Sequence, residues 1–200
     1  DDNGVVTIAT GEYSTCEPDN RVWYFSARDL RLDQNEGLGT IKNATLYIQD
    51  VPIAYLPYFK FPIDNRRMSG LLIPHFGSTN DGGLDFAQPI YWNIAPNYDA
   101  TFTPRLLSKR GLMAENEFRY LTYNWGEGII NGAYLPSDKL YSHQDRKRLA
   151  WQHRYKPNNW QLSSNVNYVS DSNYFTDLGT DLTQSNTTHQ ERSAEFNYWG

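Results

Sequence analysis

The chain has 200 residues, enough for one large or two small domains. A net charge of -5 and a pI of about 5.3 leave no basic surface for nucleic acid. There is no run of ~18 apolar residues, which excludes a membrane-spanning helix. Hydrophobic residues make up only 39% and mean hydropathy is -0.69, yet aromatics reach 15%, with 15 Tyr and 6 Trp. High aromatic content at low hydropathy fits β-structure with one apolar and one wet face. A soluble sandwich meets that description, and so does a membrane barrel with a polar lumen. The opening DDNGVVTIATGEYST reads as strand and turn rather than as a signal peptide, and it lacks an initiating Met, so a mature or excised segment is expected.

Residues 1–63 form one compositional block of short strands and turns. Strands are predicted at Val5–Thr10, Val22–Ala27, Leu30–Asp33, Ile41–Gln49 and Ile53–Phe61. In Thr40–Gln49, Ala44, Leu46 and Ile48 face one way while Thr45, Tyr47 and Gln49 face the other, as in a half-buried strand. Pro52, Pro57 and Pro62 forbid a helix in VPIAYLPYFKFPI and favour an extended edge or connector. Cys16 is the only cysteine. Its polar, turn-like setting, YSTCEPDNR, argues against a buried apolar role, and an odd cysteine in an exported protein points to a partner elsewhere.

From about residue 66 the pattern changes to longer strands joined by polar turns. The predicted strands are 68–77, 83–94, 98–108, 112–124, 127–136, 146–156, 159–170 and 189–199, with turn signals such as STNDGG, NWGEG and KPNN between them. The polar stretch Asp171–Thr188 reads as a surface loop, and no helix is predicted anywhere. Trp160, Leu162, Ser164, Val166 and Tyr168 share one strand face, and Gln161, Ser163, Asn165 and Asn167 share the other. Eight steps of ~3.3 Å tilted by ~40° rise ~20 Å, close to the ~25 Å apolar band of a membrane barrel. Leu112, Ala114, Phe118 and Tyr120 oppose Glu115, Glu117 and Arg119 in the same way, and Leu149, Trp151 and Tyr155 oppose Arg148, Gln152 and Arg154. Asn116 and His153 are the polar exceptions on the apolar faces.

Catalytic chemistry finds little support. His75, His143, His153 and His189 are scattered without metal-ligand spacing, and no nucleophile elbow, P-loop or dinucleotide fingerprint is present. No catalytic residue, metal ligand or cofactor is therefore assigned. Asp81 and Asp85 resemble a glycosidase pair only in spacing; a polar hairpin turn explains them. Glu115 and Glu117 read as a wet, lumen-facing row. Pro74 and Pro89 interrupt the first two long strands. Each either ends a strand or marks a bulge, or together they weaken a seam, since a proline donates nothing to a ladder and each lost bond is worth ~0.5–1.5 kcal/mol net.

The words YSTCEP (13–18), VPIAYLPYFKFPI (51–63), RMSGLLIP (67–74), PIYWNIAPNYDAT (89–101), RGLMAENEFRYL (110–121) and YLPSDK (134–139) occur in order, and in them the chain resembles the outer-membrane lipopolysaccharide-assembly (LptD, or OstA) family. The resemblance implies an all-β chain: the end of a periplasmic β-jelly roll with its connector (1–63), then the first antiparallel strands of a large outer-membrane β-barrel (64–200). It implies non-covalent lipopolysaccharide transport, with lipid tails in an apolar jelly-roll groove and sugars leaving by a lateral gate. Its implied partners are lipopolysaccharide, a plug lipoprotein, a periplasmic bridge protein and outer-membrane lipids. By the same resemblance Cys16 pairs with a cysteine outside this chain, Pro74 and Pro89 belong to the gate, and Ala44, Leu46 and Ile48 become candidates for the groove lining. Two alternatives are an outer-membrane porin or receptor, which needs neither the 1–63 block nor a weakened seam, and a soluble sugar-acting β-protein.

Overall fold

The computed structural model describes residues 4–14, 22–64, 66–79, 82–179 and 192–199. Cys16 and Asp81 lie outside them. The chain divides into two compact units, Asp1–Gly70 and Leu71–Gly200, and its sheets are antiparallel throughout. In chain order the strands are β1 (Val5–Tyr13), β2 (Trp23–Asp33), β3 (Leu38–Ile48), β4 (Val51–Pro62), β5 (Gly70–Leu71), β6 (His75–Thr79), β7 (Gly83–Ala87), β8 (Ile90–Ala95), β9 (Tyr98–Leu107), β10 (Gly111–Thr122), β11 (Gly126–Asp138), β12 (Gln144–Tyr155), β13 (Trp160–Val169) and β14 (Arg192–Tyr198), with one helix, α1 (Tyr174–Leu178), before β14.

The first unit is a four-stranded meander, β1-β2-β3-β4. The proline-rich segment is its edge strand β4, which among the described residues pairs only with β3, where missing N–H donors cost least. Alternation slips by one residue midway along the sheet. Arg28 and Asp29 are both exposed, as are Lys42 and Asn43, and Pro57 and Tyr58. Asp29 and Asn43 sit at the slip with φ of 52°, a left-handed conformation that Asp and Asn tolerate better than most side chains. The slip keeps one face apolar along the sheet: Phe25, Ala27, Ala44, Leu46 and Leu56 on one side of it, Leu30, Leu32, Ile41, Phe59 and Phe61 on the other. Gly39 makes room there, because a Cβ on it would collide with the Phe61 ring.

The second unit is a ten-stranded sheet running β14-β13-β12-β11-β10-β9-β7-β6, with β8 joined to β9 and to the short β5. Among the described residues neither sheet closes on itself. From β9 to β13 the register holds strict alternation, apart from an irregularity between Leu135 and Asp138 at the end of β11. Phe102, Leu106, Leu112, Leu149, Trp151, Leu162, Val166 and Tyr168 emerge on one face and are all substantially exposed. Thr101, Arg105, Glu115, Glu117, Asn131, Arg148, Gln152, Ser163 and Asn165 emerge on the other.

The two polar exceptions on the apolar face have local partners. The Tyr120 hydroxyl lies 2.9 Å from His153 Nδ1 and accepts from Trp151 Nε1 at 3.0 Å. Asn116 lies directly across from Gly132, whose missing side chain leaves it space. Tyr120 likewise lies across from Gly128, where a Cβ would clash with the tyrosine ring and come within 2.6 Å of the Gln152 carbonyl oxygen. These rings continue an aromatic row near one end of the strands. Tyr98, Phe118, Tyr120, His153 and Trp151 follow one another at centroid spacings of 6.1, 6.2, 6.0 and 5.6 Å.

The predicted strands correspond to observed ones with three differences. The strands predicted at 68–77 and 83–94 are each broken in two, as β5 with β6 and β7 with β8, at Pro74 and Pro89. Val22–Ala27 and Leu30–Asp33 are one continuous strand, β2, with the slip where a break was expected. The prediction of a surface loop and no helix fails for 171–179. Tyr174, Phe175 and Leu178 form one side of α1 and are buried with Leu107, Met113 and Leu135. The physical reason is their i, i+1, i+4 spacing, which gathers three large apolar side chains on one side of a single turn despite the polar residues around them.

Gly128→Ala is expected to destabilise the sheet by about 1–3 kcal/mol, because the added carbon must displace Tyr120 or the β12 backbone. Equilibrium unfolding measures this; a neutral effect would contradict the packing described.

Candidate functional site

The site is built on the first two long strands and on the polar face beside them. β5 and β6 are halves of one strand separated by Leu72–Pro74; β7 and β8 are halves of the next, separated by Gln88–Pro89. The second interruption leaves the register against β9 unchanged: Ala87 pairs with Arg105 and Ile90 with Phe102. The β6–β7 ladder begins at His75–Ala87, so Pro74 and Pro89 flank the same gap. Within that gap the Leu72 amide donates to the Pro89 carbonyl at 2.9 Å, and the Gln88 side-chain amide donates to the Leu72 and Pro89 carbonyls at 2.8 and 3.1 Å. Gln88 thus replaces with its side chain some of what the prolines remove. Ile73, between these contacts, is 90% exposed.

Beside this gap the polar face carries two ion-pair clusters. In the first, Arg105 makes a bidentate pair with Asp85 (2.9 and 2.6 Å), reaches Glu115 at 3.3 Å and donates to the Leu178 carbonyl at 3.1 Å. Asp85 is therefore a buried strand residue paired to an arginine, and not part of a polar hairpin turn. In the second, Arg146 is fully buried and donates to Asp171 (3.0 and 2.7 Å), Asp177 (2.6 Å) and Asp138 (3.3 Å), while Arg110 donates to Asp138 at 2.8 Å. Both clusters hold residues 171–179 down. The segment crosses the polar face as a strap, its apolar side chains inward and its acids on arginines from the strands.

Under the strap lies a cavity of about 370 Å³, bordered by Leu72 and Pro89 at the gap, by Thr101, Glu115, Asn131 and Arg148 from the sheet, and by Tyr174 and Leu178 from above. The structure therefore brings Pro74 and Pro89 to one gap and places Pro89 at a polar cavity. Ala44, Leu46 and Ile48 belong to the first unit. Ala44 is 3% exposed and Leu46 half-buried on the apolar face, while Ile48 at the strand end is 39% exposed. Gln88, Arg105, Arg146 and the strap were not assigned from sequence. The available signal was the Tyr-Phe-x-x-Leu spacing between Asp171 and Leu178, and arginines at 105, 146 and 148 on otherwise wet strand faces. Among the described residues no group of His, Cys, Asp and Glu has a metal-holding arrangement.

A family model described as LptD protein matches residues 40–198. The chain is 46% identical over 195 residues to the LPS-assembly protein LptD of Acinetobacter baylyi, covering 96% of this chain and 24% of that protein. It is 46% identical over 190 residues to the LPS-assembly protein LptD of Psychrobacter cryohalolentis, covering 94% and 19%. With that of Xanthomonas euvesicatoria pv. vesicatoria it shares 49% over 167 residues, covering 83% and 20%. The chain thus spans about a quarter or less of the length of these curated relatives.

Burial pushes the Asp171 carboxyl up, but hydrogen bonds from Arg146 and Ser170 and the Arg146 charge outweigh it, and the net shift is downward. The groups facing it are Arg146 on β12, Ser170 beside it, the Asn173 backbone N–H and, across the shared arginine, Asp177. A depressed carboxyl contributes stability in full above its ordinary pKa of about 3.9 and loses it as pH falls through the lower folded value. The strap should therefore stay protected from amide exchange down to about pH 4 and open in stronger acid. Asp171→Asn should loosen it at neutral pH by about 1–3 kcal/mol, by leaving buried donors of Arg146 unmatched. Unchanged protection of residues 174–178 in that variant would show that the clamp does not hold the strap.

Proposed function

The chain belongs to the LptD protein family, and on that premise we propose that it is part of an outer-membrane apparatus carrying lipopolysaccharide to the outer leaflet. In this reading residues 1–63 lie in the periplasm as the end of a β-jelly roll. Residues 64–200 supply the first strands of a transmembrane β-barrel. The apolar face around Ala44 and Leu46, with Ile48 at its end, lines the path of the acyl chains, whose burial is worth roughly 0.8 kcal/mol per CH₂. The sugar portion meets the polar face of the second unit and leaves by a lateral gate at Pro74 and Pro89. Cys16 pairs with a cysteine outside this chain. A plug lipoprotein and a periplasmic bridge protein are the expected partners. The work is non-covalent and needs no cofactor.

One observation carries this reading: the second unit exposes a largely apolar strand face and keeps its charged groups on the opposite face, with the pairing of its first two strands interrupted where two prolines meet. Water-soluble proteins rarely expose apolar patches beyond a few hundred Å², whereas a barrel strand in lipid needs such a face. A porin has no use for the interruption. A gate does, because absent donors lower the cost of parting the strands without unfolding the sheet.

Pro74→Val together with Pro89→Val in the full-length protein restores two ladder donors, worth ~1–3 kcal/mol in total. Pulse-labelled lipopolysaccharide is then expected to reach the cell surface roughly tenfold more slowly, with the barrel still folded by heat-modifiable gel mobility. Delivery at the unaltered rate would contradict the gate.

A further inference from the structure

We propose that the cavity beneath the strap is a binding site for an uncharged, hydroxyl-rich saccharide unit. The proposal deepens the transport reading and rests on it in one respect: the sugar arrives as the carbohydrate portion of lipopolysaccharide. The site itself is argued from unspent hydrogen-bonding groups. The cavity, about 370 Å³, lies within the size range of small-ligand sites. Thr101, Thr103, Asn131, Arg148 and Tyr174 all border it. Among the described residues none of these side chains makes a hydrogen bond or ion pair; the Arg148 guanidinium lies over the Phe175 ring, 5.4 Å from its centroid, and its charge acts on Tyr174. Tyr174 is 3% exposed, and its hydroxyl is buried without a partner. Burial pushes its phenol well above the ordinary value, so the group stays a hydroxyl, able to donate and to accept.

The charges select the class of ligand. Glu115 and Glu117 also face the cavity, the first held by Arg105 at 3.3 Å and the second 3.6 Å from Arg119. Two carboxylates beside one free guanidinium disfavour a phosphate or a carboxylate but suit vicinal hydroxyls. These donate to carboxylate oxygens and to the Asn131 carbonyl, and accept from guanidinium, amide and threonine groups. Met113 and Leu178 add apolar surface for the C–H face of a sugar ring. The strap roofs the site with Tyr174 and Leu178, and Leu72 and Pro89 at the interrupted seam form part of its wall.

The test uses the full-length protein purified in detergent and a core oligosaccharide released from lipopolysaccharide, before and after enzymatic dephosphorylation. Binding is followed by saturation-transfer NMR and titration. Both forms are expected to bind within about twofold of each other. Tyr174→Phe, which removes one hydroxyl and keeps the ring in the core, should weaken binding about 3- to 10-fold, and Asn131→Leu about tenfold. A requirement for the phosphates, or unchanged affinity in both variants, overturns the site. If affinity is unchanged while the same variants deliver lipopolysaccharide normally in cells, the site falls and the transport reading stands. Oligosaccharide binding lost in the variants, in a protein that delivers no lipopolysaccharide even unaltered, supports the site and removes the transport reading.

Discussion

Everything in the second unit depends on strict two-residue alternation held in register across its long strands. One slip of a single residue would carry every apolar side chain to the wrong face. The register avoids this from β9 through β13 without an inserted residue until the bulge near Asp138. The result is a wall with two unlike sides. Large side chains such as Phe102 and Leu149, each 49% exposed, have no cover among the described residues on one side, while charged and amide side chains crowd the other. Glycines 128 and 132 matter because they let Tyr120 and Asn116 lie flat on the apolar side without spreading the strands.

The first unit solves a related problem differently. Its sheet keeps one apolar face by slipping alternation at the same level in β2, β3 and β4, with Asp29 and Asn43 absorbing the left-handed backbone. The polar side of the second unit, by contrast, is held by ion pairs rather than by apolar area. Arg105 and Arg146 are buried, and leaving either without its carboxylates would strand a charge in a dry place. That cost explains why a strap containing two aspartates can sit over the sheet, and why its position is specific. The interrupted seam lies beside this charged region: Leu72 and Pro89 share a cavity wall with Glu115, which Arg105 holds.

Most of the strands were legible in the sequence, because alternation and turn residues act locally. Trp160–Tyr168 could be assigned to faces residue by residue, and β10 and β12 nearly so. The prolines at 74 and 89 announced interruptions, since no context lets a proline donate. The slip in β2 was not legible. It depends on Asp29 taking a conformation that Asp permits but does not require. The strap was missed because hydropathy averaged over Asp171–Thr188 hides three apolar residues that act together only when a helical turn forms. Arg105 and Arg146 look like ordinary wet-face residues until the fold places Asp85 beside the first and Asp171 and Asp177 beside the second, from 20, 25 and 31 residues away. The gap-bridging role of Gln88 is of the same kind: a long-range contact that no local rule encodes.

The most direct test of this account places single spin labels in the full-length protein reconstituted in lipid bilayers, at 102, 149 and 162 and, separately, at 103, 148 and 163. The account predicts high accessibility to oxygen and low accessibility to a water-soluble nickel complex at the first three positions, and the reverse at the second three. Nickel accessibility at 102, 149 and 162 equal to that at their neighbours would contradict a lipid-covered apolar wall, and with it the reading built on that wall.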